Sequence, residues 1–248
     1  MAIILKSDRE ISLMRKAGEV VGNVLSKLKE TVEPGMTTAD LNKIAEDMSS
    51  QAGAQTLFKG VRSPYAKIPF PGAICASVNN EIVHGIPSKK VVLKDGDIIS
   101  VDFGVKLDGY CGDSAVTLAV GNISEAKQKL IDVTKRVLGI AIENSRAGVK
   151  WSCIARKMQD YAESAEFNVV KDYVGHGIGR EMHEDPKVPN FVSRDLLAND
   201  IILKKGMVLA VEPMINMGRS GTKVLKDGWT VVTSDGKDSA HFEHTIAI

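Results

Sequence analysis

The sequence has 248 residues, 44% of them hydrophobic and 25% charged, which are ordinary proportions for a globular chain long enough to bury a substantial core. Its 32 Lys and Arg balance 31 Asp and Glu, leaving a net charge of +1 and no electrostatic case for binding nucleic acid or an anionic membrane surface. No apolar run approaches the roughly 20 residues that span a bilayer, and the opening stretch Met1–Lys6 is too short for a signal peptide. Cys75, Cys111 and Cys153 are odd in number and form no CxxC pair, so neither a disulfide framework nor a zinc finger is expected. A reducing cytoplasm is the expected compartment.

The first element is a helix. Ser7-x-x-Glu10 is a capping box, and Ile11, Met14, Val21, Leu25 and Leu28 then recur on one helical face. Thr37-x-x-Asp40 opens a second helix, ending near Gly53. Strands are expected at Val91–Leu93, Ile98–Val105 and Ala115–Val120, the last two joined through the Asp108-Gly109 hairpin signal. A third helix runs from about Glu125 to Arg146, with Leu130, Val133, Val137 and Ile140 inward, and a fourth from Ser152 to about Phe167. Strands return at Met207–Val211, Trp229–Thr233 and Thr245–Ile248. Helices followed by strands, twice, without βαβ alternation, predict an α+β fold whose antiparallel-rich sheet is covered by helices. No low-complexity linker divides the chain, so residues 1–248 are expected to form one domain.

Three echoes suggest that this domain is an internal duplication. The turn and helix start at Pro34-Gly-Met-Thr recur at Ala147-Gly-Val-Lys, 113 positions on. Leu93-Lys-Asp-Gly-Asp-Ile-Ile-Ser-Val-Asp102 is matched by Leu203-Lys-Lys-Gly-Met-Val-Leu-Ala-Val-Glu212, 110 positions on. His-Gly-Ile occurs at His84 and again at His176. The halves would be about 1–120 and 121–248.

The acids that end apolar strands carry the chemistry. If Leu107 and Tyr110 flank the hairpin turn, Asp102 faces Ala115 and Asp113 faces Gly104. The two carboxylates are then diagonal neighbours on one face, about 7–8 Å apart at Cα. Two buried acids repel unless a proton or a cation lies between them. The second half supplies His176 in Gly-His-Gly-Ile-Gly, His183, Glu212 in Ala-Val-Glu-Pro, and Glu243 just before the last strand. Asp102, Asp113, His176, Glu212 and Glu243 make four carboxylates and one imidazole, a set whose charge matches two divalent cations and whose oxygen content suits Mn, Fe or Co at least as well as Zn. His183-Glu-Asp-Pro-Lys fails the zincin pattern, Gly175-His-Gly-Ile-Gly lacks the dinucleotide-loop spacing, and no Gly-x-Ser-x-Gly elbow supports a serine triad.

With these residues in place the chain resembles type I methionine aminopeptidases over nearly its whole length. The resemblance rests on His84-Gly-Ile-Pro, the 11-residue spacing of Asp102 and Asp113, Gly175-His-Gly-Ile-Gly with His183, Glu212-Pro, and Glu243. It implies the pseudo-twofold pita-bread fold and two divalent metal ions (Co, Mn, Fe or Zn) held by Asp102, Asp113, His176, Glu212 and Glu243. It implies that Asp113 and Glu243 bridge them, that His84 and His183 contact substrate, and that Glu212 also relays a proton. Phe70, Cys75, Met182 and Trp229 would line the Met side-chain pocket, although family members often carry an aromatic where Met182 stands and a cysteine where Val83 stands. Asn79 and Ser239 match positions that hold a monovalent cation in some members. The implied substrates are N-termini of nascent polypeptides with a small, uncharged second residue, taken by a cytoplasmic monomer in transient contact with the ribosome. The chain's own Met1-Ala2 fits that rule as a site of self-processing. Two other readings share features with this one: an Xaa-Pro peptidase of the same fold, which usually carries an extra N-terminal domain, and a non-enzymatic binding module, which typically has lost ligands.

Overall fold

In the computed structural model, which describes residues 3–248, the chain opens with two helices whose starts the sequence marks. The Met1-Ala2 pair lies outside the described residues. Ser7 caps α1 (Asp8–Thr31) and Thr37 caps α2 (Thr38–Gln51), each through a complete capping box with Glu10 or Asp40. Short strands β1 (Gln55–Thr56), β2 (Ile74–Val78) and β3 (Glu81–Val83) lead into the long hairpin β4 (Ile98–Leu107) and β5 (Tyr110–Ala119). The helix pair α3 (Glu125–Asn144) and α4 (Trp151–Ser164) follows. After it come β6 (Asn168–Val169), β7 (Gly175–Gly177), β8 (Glu184–Val188) and the short α5 (Arg194–Ala198). The chain closes with β9 (Val208–Val211), β10 (Met214–Asn216), β11 (Thr222–Val224), β12 (Val231–Thr233), β13 (Ser239–His241) and β14 (Glu243–Ala247).

The main sheet runs β1-β4-β5-β14-β9-β7-β8, with β2 also on β4, and the pairings between these strands are antiparallel. Alternation along β4 sorts its side chains between two environments. Ile99, Val101, Phe103 and Val105 pack with Val21, Val24, Leu25 and Leu28 of α1 and with Leu41 and Ala45 of α2. In the second half Leu209 and Val211 of β9 pack under α3 and α4, around Trp151, Ile154 and Met158. Phe103 is fully buried, and its truncation to Ala would cost about 3–5 kcal/mol. The residues between these apolar positions therefore point to the opposite face, where the site lies.

The two halves repeat at the level of hydrogen bonds. Gly35 N–H donates to the Leu93 carbonyl at 2.8 Å, and Gly148 N–H to the Leu203 carbonyl at 2.8 Å. The return bonds are Leu93 to Met36 at 2.8 Å and Leu203 to Val149 at 2.9 Å. Isolated bridges join Thr37 to Val92 and Lys150 to Ile202.

Several expected bounds shift: β5 opens at Tyr110 rather than Ala115, β12 at Val231 rather than Trp229, β14 at Glu243 rather than Thr245, and α3 ends at Asn144 rather than Arg146. Two further differences have a local cause. Val91–Leu93 is not a strand: Val91 and Val92 are exposed, and the segment bonds with residues 35–38 at the start of α2 and with Ser88 rather than with a strand, so its β-branched residues have no sheet to join. Helix α4 stops at Ser164 rather than near Phe167 because Glu166 adopts φ 68°. The Phe167 and Glu166 N–H groups then turn back to the Ala162 and Glu163 carbonyls, closing the helix as a Schellman motif.

Candidate metal centre

The β4–β5 hairpin sets the first two acids. Asp108 and Gly109 both have positive φ, 48° and 81°, the backbone of a two-residue I′ turn. The register that follows pairs Leu107 with Tyr110, Asp102 with Ala115 and Gly104 with Asp113, as the sequence predicts. A Cβ at Gly104 would stand 2.9 Å from Asp113 Oδ1, so the glycine leaves room for the carboxylate. Glu243 opens β14 opposite Ala115, which puts it on the same side as Asp102. Thr245, two residues on, donates its hydroxyl to the Asp113 carbonyl at 2.8 Å and ties the two strands.

His176 arrives from β7, opposite Ala210 of β9. Its flanking glycines are sterically required. A Cβ at Gly175 would run into the Ala210 carbonyl, and one at Gly177 into the Asp185 carbonyl. His176 Nδ1 lies 2.9 Å from the Gly177 carbonyl, which can only accept, so this nitrogen carries the proton. Nε2 is left with its lone pair, 3.5 Å from Glu212 Oε1. One candidate ligand atom each from Asp113, His176 and Glu243 falls within 4.8 Å of the others. Asp102 and Glu212 flank this trio rather than belonging to it.

Burial dominates the electrostatics. Asp102, Glu212 and Glu243 are pushed well above the usual carboxylate range, first by desolvation and then by neighbouring charge: Asp113 acts on Asp102, Asp102 and Asp113 on Glu212, and Asp113, Glu212 and Asp102 on Glu243. Burial raises Asp113 to about 7. The imidazoles do not neutralise these acids. His176 and His241, 3.5 and 4.0 Å from Glu212, are lowered by burial to about 4 and about 3, so both are neutral at pH 7. Asp102 Oδ1, Asp113 Oδ1 and Glu243 Oε1 are buried without a hydrogen-bond partner. Buried orphan oxygens on mutually repelling acids, beside a free imidazole lone pair, are a donor set that a divalent cation satisfies.

These residues line one cavity of about 400 Å³, shared with His84, His183, Phe70, Cys75, Met182 and Trp229. His183 stacks edge-on against His176, ring centroids 4.3 Å apart. His84, at φ 59°, stands edge-on to Tyr173 at 5.7 Å. Burial lowers both histidines, His84 to about 4, so each presents one N–H and one lone pair at neutral pH. Phe70 and Cys75 are buried together with Phe58, and Met182 and Trp229 pack against them. Phe70 and Trp229 meet edge-to-face at 5.3 Å, and Trp229 Nε1 donates to the Ile68 carbonyl at 3.0 Å. All the expected metal, histidine and pocket residues thus face one space.

The sequence reading passed over several residues at this site. His241 is buried with neither ring nitrogen hydrogen-bonded, behind Glu212. His241 ends β13, two residues before Glu243 but in a different sheet, so the alternation along β14 does not reach it. Leu57, Phe58, Lys106, Cys111 and Glu181 also line the cavity. Leu57, Phe58 and Glu181 reach it from loops that carry no periodic signal, whereas Lys106 and Cys111 face each other across the β4–β5 hairpin, in step with Asp102 and Asp113.

Comparison with known proteins gives a consistent set of relatives. Residues 12–248 match the model of metallopeptidase family M24. The chain is 50% identical over 246 residues to a methionine aminopeptidase of Clostridium perfringens, covering 99% of this chain and 95% of that one. The crystal structure of a Thermotoga maritima methionine aminopeptidase superposes with a TM-score of 0.93 at 41% identity, covering 100% of this chain and 96% of that one. The Xaa-Pro dipeptidase of Bacillus anthracis shares the fold, with a TM-score of 0.74 at 22% identity, but only 59% of its length is covered.

Proposed function

The chain belongs to metallopeptidase family M24, and on that footing we propose that it removes the N-terminal methionine from polypeptides by metal-assisted hydrolysis. The observation that carries the proposal is the set of four acids around His176, Asp113 and Glu243 buried and Asp102 and Glu212 partly buried, with three carboxylate oxygens left unsatisfied in the cavity that His84 and His183 share. In this reading Asp102, Asp113, His176, Glu212 and Glu243 hold two divalent ions, and residues 1–248 act as one catalytic unit. Bound there, the ions would anchor the substrate's free amine, polarise the scissile carbonyl and lower the pKa of water to about 7.

The protein groups divide the remaining work. Phe70, Cys75, Met182 and Trp229 take up the methionine side chain in an apolar pocket. His183, neutral and close to His176, donates its N–H to the oxygen on which charge develops. His84 contacts the amide nitrogen of the second residue. Glu212 takes a proton from the attacking water and delivers it to the leaving amine, so that the carbonyl carbon gains OH and the amine gains H. A Cβ at Gly85, beside His84, would strike the Ala76 carbonyl. This tight turn supports a preference for a small second residue such as Ala, Gly, Ser or Thr.

The same reading extends to nascent chains as substrates, to a monomer in transient contact with ribosomes, and to the cytoplasm. None of the described helices is long and apolar enough to cross a membrane. The Xaa-Pro alternative is less favoured because the Xaa-Pro and prolidase structures share only the fold, with 59–62% of their length covered. The test is cleavage of Met-Ala-Ser after exhaustive chelation and re-addition of Co, Mn, Fe or Zn singly. Activity lost on chelation and restored by one or more of them supports the proposal; full activity after verified metal removal overturns it.

A further inference from the structure

Asn79 and Ser239, offered by the resemblance for a monovalent cation, meet where four elements join: the β2–β3 turn, the start of β4, α3 and β13. Ser239 N–H donates to the Asn79 carbonyl at 2.9 Å, and Asn79 N–H to the Ile98 carbonyl at 2.9 Å. Asn79 Nδ2 donates to Asp97 Oδ1 at 2.8 Å. The amide oxygen of Asn79 already accepts twice, from Ile98 N–H at 3.1 Å and from Lys127 Nζ at 2.8 Å, which uses both of its lone pairs. The Ser239 hydroxyl is turned to Asn216 Oδ1 at 2.8 Å and the Ile215 carbonyl at 3.2 Å. The Asn79 amide oxygen therefore has no lone pair left for an exchangeable ion, and the Ser239 hydroxyl is buried and directed at Asn216.

The place beside Asn79 is instead held by an ammonium group. Lys127 Nζ also donates to the Gly96 carbonyl at 2.8 Å and lies 3.7 Å from Asp238 Oδ2. Its side chain is 18% exposed, so the charge is largely withdrawn from water and compensated by three protein oxygens. A second cation beside it would be repelled. The junction also lies upstream of both arms of the site. Asn79, at φ 54°, stands two residues before β3, which ends next to His84. Ser239 opens β13, which runs toward Glu243 at the start of β14.

We infer that the ammonium of Lys127 is the resident cation of this junction in place of an exchangeable monovalent ion, and that Lys127 is thereby a positioning residue for the arms bearing His84 and Glu243. The positioning half rests on the proposed roles of His84 and Glu243; the cation half does not.

The experiment compares the metal-loaded full chain with Lys127→Ala and Lys127→Met in ammonium, potassium and choline chlorides at equal ionic strength. It reads Tm, and kcat and KM on Met-Ala-Ser. The wild type should give the same Tm and kcat in all three salts. Lys127→Ala in choline should lose about 5 °C in Tm, and its kcat should fall about threefold to tenfold. Ammonium or potassium should restore both, because the vacated space admits a small cation. Lys127→Met should lose as much and recover nothing, since its stem fills that space. A wild-type Tm raised by potassium over choline, or a Lys127→Ala Tm indifferent to small cations, would overturn the resident-cation assignment. A Lys127→Ala kcat unchanged in choline would overturn the positioning role. The Tm arm needs no activity, so its failure is distinct from failure of the aminopeptidase reading, and the wild-type arm stands even if a variant does not fold.

Discussion

Asp113→Asn should stabilise the chelated protein and destabilise the metal-loaded one, with the first effect growing as pH rises. The Asp113 carboxyl is raised from an ordinary value of 3.8 to about 7, chiefly by burial. A group whose folded pKa is raised contributes stability below its unfolded pKa, and that contribution is lost as pH rises through the folded pKa. For Asp113 the window is therefore about pH 4 to 7, and the full loss is about 4 kcal/mol. Between pH 5.5 and 8 it is about 2 kcal/mol, or about 5 °C in Tm for a chain of this size. His84, His176 and His241, lowered chiefly by desolvation to about 4, 4 and 3, work in the opposite direction, losing stability as pH falls below their ordinary 6.5. Comparing variant with wild type at each pH cancels their contribution. Asn carries no titrating proton, so after chelation its Tm advantage over wild type should widen by about 5 °C from pH 5.5 to 8. With metal bound the order should reverse, because the variant would lack one of the proposed ligands. Thermal melts with and without EDTA measure both. A chelated Asp113→Asn protein no more stable than wild type at pH 8 would refute the buried-charge account of the centre.

Glu243→Ala should lower bound metal and abolish turnover, checked by metal analysis of the dialysed protein alongside peptide cleavage; two tightly held ions with normal turnover would remove Glu243 from the site. His183→Ala should keep wild-type metal content while its rate falls by about 10²–10³, as loss of an oxyanion donor does elsewhere. His84→Ala should likewise be mainly kinetic, and stoichiometric metal loss in either variant would make that histidine a ligand. Phe70→Ala should weaken the preference for Met over smaller apolar first residues by about 10–200-fold in kcat/KM, the discrimination that an apolar pocket supplies.

What could be read from the sequence was what local rules fix. Ser7-x-x-Glu10 and Thr37-x-x-Asp40 placed two helix starts to the residue, because a capping box is a short-range hydrogen-bond pattern. Asp108-Gly109 fixed the hairpin register and with it the side on which Asp102 and Asp113 stand, because strand alternation leaves no freedom once the turn is set. The Val91–Leu93 run misled because β-branched composition says nothing about whether a partner strand exists. Lys127 escaped notice altogether. Its bond to Asn79 spans 48 positions, and on an exposed helix start it reads as one surface lysine among many. His241 was hidden because it ends β13, a strand separate from β14, and meets Glu212 only through the tertiary fold.

The most direct measurement is a peptide panel of Met-Ala-Ser, Met-Lys-Ser, Lys-Ala-Ser and Ala-Pro-Ala, cleaved by one metal-loaded preparation. The account predicts efficient release of Met from Met-Ala-Ser, with Met-Lys-Ser and Lys-Ala-Ser refused and Ala-Pro-Ala left intact. Efficient cleavage of Met-Lys-Ser would contradict the small second-residue rule, and a preference for Ala-Pro-Ala would move the chain to the Xaa-Pro branch of its family.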